Sequence, residues 1–294
     1  MNPVPVIVNR GGGTAAGLGD KLEATLREGF AGSEIALQLV EGEAIGQAVE
    51  RAKGAPIVAV GGGDGTQGSA AALLAGSDSA QLVLPLGTRN HLARQLGLPL
   101  DLAEAAKLVQ SGRRTAIDLA RAGERVFVNN ASIGIYTRLV RLRDRRAGPK
   151  WLGTIPAAWT VLRTLRARPL LLTVDGERQR VVTPLLFIGN NRYSLDAGKL
   201  GQRESLSNGV LSLYAIERKG ALALLGFAAR ALVGRADPER DFCELADARE
   251  VTIEGAGPIA VAFDGEVERM ALPLRFAIQP GALQVMVPAE ALRA

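Results

Sequence analysis

Pro56-Ile57-Val58-Ala59-Val60-Gly61-Gly62-Gly63-Asp64-Gly65-Thr66-Gln67-Gly68-Ser69 decides how the chain is read. A short apolar run ends in three glycines. Asp64, Gly65 and Thr66 follow, and then an alanine- and leucine-rich segment to Ala75. The apolar run is too short for a helix and suits a strand buried on both faces. The whole stretch predicts a strand, a tight loop and a helix. Glycines let backbone N–H groups approach an anion with no Cβ in the way, and a helix N-terminus adds partial positive charge. The loop therefore suits phosphate, with Asp64 offering a carboxylate to a metal or a hydroxyl.

Gly63-x-Gly65-x-x-Gly68 matches the dinucleotide fingerprint in form only. That fingerprint needs an acidic residue at the end of the next strand. Here the next strand, Gln81 to Leu86, runs into Gly87-Thr88 with no carboxylate. No lysine follows the glycines, which excludes a Walker A loop.

Outward from this stretch the N-terminal third alternates strand and helix. Strands are expected at Val4–Val8, Ile35–Val40 and Gln81–Leu86. Helices are expected at Leu18–Glu28, Glu41–Lys53, Leu92–Leu96 and Asp101–Ser111. This alternation predicts a parallel sheet covered on both sides. Three loops, carrying Asn9-Arg10, Asp64-Gly65-Thr66 and Gly87-Thr88-Arg89-Asn90, fall at strand carboxyl ends, where ligands bind in such folds.

After about Asp118 the texture changes. Val126–Asn130, Leu170–Val174, Gln179–Ile188, Val210–Ile216, Glu250–Glu254, Ile259–Phe263, Leu274–Ile278 and Leu283–Val287 read as strands. Asp175-Gly176, Asn208-Gly209 and Asp264-Gly265 read as hairpin turns between them. A mostly antiparallel, sandwich-like second domain follows. Two helices are expected inside it, Arg138–Arg146 and one beginning near Thr154, with Pro156 in its first turn.

The charge is uneven. The chain carries +5 overall, yet nine basic residues between Arg138 and Arg168 face Asp144 alone. Ile155, Ala158, Trp159, Leu162 and Leu165 share a helical face, with Arg163 and Arg166 beside it. The pattern suits an anionic membrane surface; it equally suits an amphipathic helix packed on a sheet. No aromatic stacking strip accompanies the charge, which argues against nucleic acid.

Composition excludes several classes. A single histidine, His91, rules against a serine triad and multi-histidine metal sites. A single cysteine, Cys243, excludes an internal disulfide and fits a reducing compartment. The N-terminus lacks a secretory pattern, and no apolar run reaches the ~18 residues of a membrane span. A cytoplasmic protein, peripheral at the inner membrane face, is expected.

Six stretches, in order, resemble the diacylglycerol kinase catalytic-domain family, the lipid kinases that include the sphingosine kinases and a large bacterial branch. They are Gly62-Gly63-Asp64-Gly65-Thr66; Leu84 to Ala93; Asp118; Phe127-Val128-Asn129-Asn130-Ala131-Ser132-Ile133-Gly134; Ile188-Gly189-Asn190-Asn191; and Asp264-Gly265-Glu266. The resemblance implies an α/β fold. Its NAD kinase/phosphofructokinase-like nucleotide-binding domain would span 1–118, with 281–294 rejoining it. A β-rich lipid-substrate domain would span 119–280, with basic helices inserted at 138–168 and the site in the cleft between the two. It also implies ATP and Mg²⁺, with the γ-phosphoryl group passing to a lipid hydroxyl.

Carried over by residue, Asn9, Arg10, Gly61, Gly62, Gly63, Asp64, Gly65, Thr66, Gln67, Gly68, Thr88 and Asn90 would hold the nucleotide. Glu266 or Asp64 would accept the hydroxyl proton, Glu266 being favoured. Asp118 and Asp264 would organise the metal–water network. This sequence departs from the family at His91, where aspartate is common, and His91 also suits a cap for the following helix. It departs again at Val40, where threonine is frequent, and at Asn208, where aspartate helps some members hold a structural metal. A soluble alcohol as acceptor, a non-catalytic nucleotide sensor and a homodimer all remain compatible with the sequence.

Overall fold

The computed structural model describes residues 3–11, 14–19, 21–134, 167–194, 203–215 and 243–291. Both expected basic helices lie outside these residues. The chain divides into two compact units, one of Met1–Leu119 with Pro280–Ala294, the other of Ala120–Gln279.

In the first unit, β1 (Val4–Asn9), β2 (Ile35–Val40), β3 (Ile57–Gly62) and β4 (Ala80–Pro85) form a parallel sheet in the order β2-β1-β3-β4. The distal end of β16 (Leu274–Val287) extends it, Gln284 and Val285 pairing in parallel with Ala80 and Gln81. Helices cover both faces, so Val6, Ile7, Val8, Val58, Val60, Leu82 and Leu84 are all buried. That explains why these strands are apolar at consecutive positions.

The helices are α1 (Ala15–Leu18), α2 (Lys21–Gly29), α3 (Ala44–Ala52), α4 (Asp64–Leu74), α5 (His91–Gln95) and α6 (Leu102–Ser111). The single helix expected at Leu18–Glu28 is broken at Gly19, which sits at φ 50°. Asp101 caps α6, its carboxylate accepting the Glu104 N–H at 3.0 Å. Helix α2 approaches α6 at Gly29, where a Cβ would stand 2.7 Å from the Ala103 carbonyl.

The second unit is a pair of antiparallel sheets. One holds β8 (Arg168–Val174), β9 (Glu177–Thr183), β13 (Glu250–Glu254) and the first part of β16. The other runs β12-β11-β10-β7-β14-β15, from Cys243–Ala248, Leu211–Ala215, Leu185–Asn190, Asn130–Gly134, Pro258–Phe263 and Glu266–Ala271. Short β6 (Arg125–Phe127) pairs with the end of β5 (Arg113–Ala122). Phe127, Phe263 and Phe276 centre a core shared with Ile133, Leu186, Ile188, Val251 and Ile253. The Phe127 ring lies 5.7 Å from Phe263 and 6.4 Å from Phe276.

Several expected elements are corrected. Pro184 divides the expected Gln179–Ile188 strand, sending β9 and β10 into different sheets. The two strands expected at 274–278 and 283–287 are one, β16, which continues through Pro280 and Gly281. Charged residues hide the alternation of β5, β12 and β15 from the sequence, and the expected Val126–Asn130 strand is instead split by the bend between β6 and an unexpected β7. Asp175-Gly176 and Asp264-Gly265 do turn hairpins, each with left-handed φ at both positions. Asn208-Gly209 does not: the antiparallel pair β10 and β11 is joined by the whole of residues 191–210.

Candidate active site

Helix α4 begins at Asp64 straight from the end of β3, with Gly63 as its N-cap and no side-chain cap. A glycine cap leaves the first-turn N–H groups without a side-chain acceptor, which is the condition for an anion site. The loop is held tightly from within. A Cβ on Gly62 would meet the Thr66 side chain at 2.6 Å, and one on Gly87 would meet Gly63 Cα at 2.6 Å and Asn90 Oδ1 at 2.8 Å. The glycines therefore serve packing of loop on loop as well as any ligand. Gly61 is a strand residue, wedged under Val8 and Leu86.

Around this loop the first unit gathers several of the singled-out residues. Asn9 Nδ2 donates to Thr66 Oγ1 at 3.1 Å, tying the end of β1 to α4, while Asn9 Oδ1 accepts the Gly11 N–H. Asp64 Oδ1 accepts the His91 N–H at 2.7 Å. Asp64 therefore caps α5 from across the loop, which corrects the reading of His91 as the cap. Arg10, Gly65 and Thr88 are exposed, and Gly68 follows on α4.

Two of the residues read as nucleotide contacts bond to the protein itself. Gln67 is buried; its amide donates to the Val60 carbonyl at 2.8 Å and accepts from Gln81 Nε2 at 2.8 Å. It braces β3 and β4. Asn90, at φ 51°, closes on Gly87 with both ends of its amide, each bond 2.8 Å. Its side chain clasps the Gly87–Asn90 turn, and only through that turn does it shape the loop.

The carboxylates expected to serve a metal–water network are also committed to backbone. Asp118 is buried and its Oδ1 accepts the Gly281 N–H at 2.8 Å, fastening the returning C-terminal strand to β5. In the second unit Asp264 accepts three N–H groups, from Val128 at 2.8 Å, Asn129 at 2.8 Å and Asn130 at 3.1 Å. Asp175, in the other Asp-Gly hairpin, does the same for Arg249 and Glu250. The parallel shows Asp264 acting as a backbone clamp in this turn.

The Val128-Asn129-Asn130 turn is gripped from its carbonyl side too. Val128 O accepts from Asn190 Nδ2 and from Arg203 Nη1, both at 2.7 Å, and Asn129 O accepts from the Tyr193 hydroxyl at 3.0 Å. Burial pushes the Tyr193 phenol above its ordinary range, so it stays a donor. Sequence reading passed over Arg203 and Tyr193, which lie far along the chain from the turn that they hold. Glu266 opens β15, about two-thirds exposed, with its Oε2 3.1 Å from Arg125 Nη2.

Residues 3–122 match the diacylglycerol kinase catalytic domain, and residues 137–287 match the YegS C-terminal NAD kinase beta sandwich-like domain. A diacylglycerol kinase of Mycobacterium tuberculosis is 32% identical over 81% of this chain and 78% of its own length. The chain belongs to the diacylglycerol kinase catalytic-domain family. A probable lipid kinase YegS-like protein of Klebsiella pneumoniae is 33% identical over 53% of this chain; the match spans about half of that relative, 54%. Among solved structures, a Bacillus anthracis diacylglycerol kinase superposes with a TM-score of 0.70 at 21% identity, over 99% of this chain and 98% of that one. The family is one of lipid kinases, so kinase activity of that general type comes with membership. No helix among the described residues is long and apolar enough to cross a membrane.

For this lipid kinase family member, the loop contact at Gly87 yields a direct test. Gly87→Ala places a methyl group against Gly63 backbone, which cannot rotate away. We expect a loss of about 1–3 kcal/mol and a raised KM for the nucleotide, read by thermal melting and initial rates. Unchanged values of both would show that the two loops are not in close contact.

Proposed function

We propose that this protein transfers the γ-phosphoryl group of ATP to the hydroxyl of a lipid such as diacylglycerol, with Mg²⁺, at an anionic membrane surface. The observation that carries the reading is the glycine loop running into an α4 with no side-chain cap, with Asp64 as its first residue. Within a lipid kinase family, this is an arrangement for phosphate.

The residues fit the groups required. The α4 N-terminus and Thr66 suit nucleotide phosphates. Asp64 is the one carboxylate on the glycine loop, and no cluster of three potential metal ligands occurs among the described residues. That donor set suits Mg²⁺, which keeps several waters and is held by one or two carboxylates plus substrate phosphates. Bound Mg²⁺ would neutralise charge on the phosphates.

The chain's own residues supply position and a proton acceptor. Asn9 and Thr66 hold the loop in register. Glu266, exposed on β15, accepts the hydroxyl proton; the lipid oxygen then bonds to the γ-phosphorus as the bond to the β–γ bridging oxygen breaks and ADP leaves. The excess of arginine at 138–168 supports contact with anionic lipid from the cytoplasmic side.

The test is transfer of labelled γ-phosphate from ATP with Mg²⁺ into purified diacylglycerol and a total bacterial lipid extract. A labelled lipid is expected, together with salt-sensitive co-sedimentation on anionic vesicles. Labelling of a water-soluble alcohol alone would overturn the lipid acceptor, and binding indifferent to lipid charge would overturn the membrane contact.

A further inference from the structure

Arg125 has no part in the readings above. It opens the three-residue strand β6, and its guanidinium bridges two carboxylates on β15: Nη2 lies 3.1 Å from Glu266 Oε2, and Nε lies 3.0 Å from Glu268 Oε1. Residues two apart on a strand share a face, so Glu266 and Glu268 stand side by side as like charges. The guanidinium between them is the group that lets both point the same way.

Both ends of the bridge are anchored. Two residues beyond Arg125, Phe127 is buried and packs on Phe263 and Phe276. On the other side, Glu266 pairs in register with Phe263, and Asp264 in the intervening turn is fixed by its three backbone N–H bonds. The pairing strand β14, Pro258–Phe263, carries no charged side chain. Within this unit Arg125 ion-pairs with both Glu266 and Glu268. An ordinary surface ion pair holds two free side chains together and contributes little. Here one guanidinium, about one-third exposed, donates to Glu266 and lies at ion-pair distance from Glu268, from a strand rooted in the core.

We propose that Arg125 is a positioning residue for phosphoryl transfer: it holds the Glu266 carboxylate in the single orientation from which the lipid hydroxyl proton is taken. The proposal rests on Glu266 as the proton acceptor. Removing Arg125 leaves the Glu266 side chain present but turned away from Glu268, so the loss falls on turnover and not on nucleotide binding.

The experiment is a double-mutant cycle on the full chain, with R125Q, E266Q and the double variant assayed for diacylglycerol phosphorylation and melted in parallel. R125Q is expected to lower kcat about 10–100-fold, with KM for ATP within about twofold and an almost unchanged Tm. In the E266Q background R125Q is expected to add under about twofold. R125K, which keeps the charge but loses the fork, is expected to recover only part of the rate. Should R125Q melt early, R125K at native Tm carries the same kcat-against-KM comparison. Full additivity of R125Q and E266Q, or a kcat for both Arg125 variants near that of the parent, would overturn the positioning role while leaving Glu266 in place. An E266Q protein of undiminished kcat would instead remove Glu266 as acceptor, and the Arg125 role with it.

Discussion

Asp64→Ala is expected to lower kcat for lipid phosphorylation by about 10²–10³-fold, and Asp64→Asn to do nearly the same while melting close to the parent. The two variants separate two jobs. Asp64 Oδ1 takes the His91 N–H at 2.7 Å and so caps α5. An asparagine keeps a carbonyl oxygen for that bond, whereas alanine leaves the N–H unmet at a cost of about 0.5–2 kcal/mol. Neither variant supplies a negative charge beside the α4 N-terminus, where the proposed phosphoryl transfer needs one. Initial rates at saturating ATP, set beside thermal melts, decide the matter. If Asp64→Asn kept full turnover as well as stability, the carboxylate would be a cap alone, and the charge at the reaction centre would have to come from elsewhere.

Asp264→Ala should strongly destabilise the second unit. Three backbone N–H groups, of Val128, Asn129 and Asn130, lose their acceptor at once. Donors left unpaired cost about 1–3 kcal/mol each when water cannot replace the partner. Residual hydration of this half-buried turn brings the expected total to the order of 3 kcal/mol, or roughly 6–12 °C in Tm. A second contribution has a distinct signature. Asp264 sits at φ 48°, a conformation that aspartate, asparagine and glycine accept and alanine resists. Asp264→Gly should therefore melt above Asp264→Ala by the equivalent of about 1 kcal/mol, although it has fewer atoms. Asp264→Asn should lie between alanine and the parent, because one oxygen still serves Asn129 and Asn130 while the amide NH₂ faces the Val128 N–H. Three variants melting with the parent would mean that the turn is held without this carboxylate, by the Asn190, Arg203 and Tyr193 contacts on its other side.

These aspartates mark where sequence reading stopped. Asp64, Asp118 and Asp264 read alike in a sequence, as acidic residues next to glycines or in strands. In the fold each is tied to a different backbone segment, 27, 163 and more than 130 residues away. Asn90 and Gln67 show the same limit: a polar residue in or beside a ligand loop can spend its side chain on the protein itself, Asn90 on its own turn and Gln67 on β3 and β4. Arg125 and Arg203 went unmarked because an arginine gains meaning from what lies across a sheet, not from its neighbours in the chain.

Backbone class was the legible part. Consecutive apolar residues in β1, β3 and β4, each followed by a glycine loop and a helix, determine a parallel sheet covered on both sides, since only strands buried twice need no polar face. The Asp-Gly turns determine hairpins at 175–176 and 264–265, because those residue types accept left-handed φ. Patterns of this kind are local, within a turn or a helix repeat, and the sequence by itself decided them. The tertiary structure alone decided that β16 runs as one continuous strand from 274 to 287, that Pro184 parts two sheets, and which backbone segments the aspartates hold. Those outcomes rest on hydrogen bonds between residues far apart in the chain, each closed only after the sheets have formed, and no local spacing encodes them.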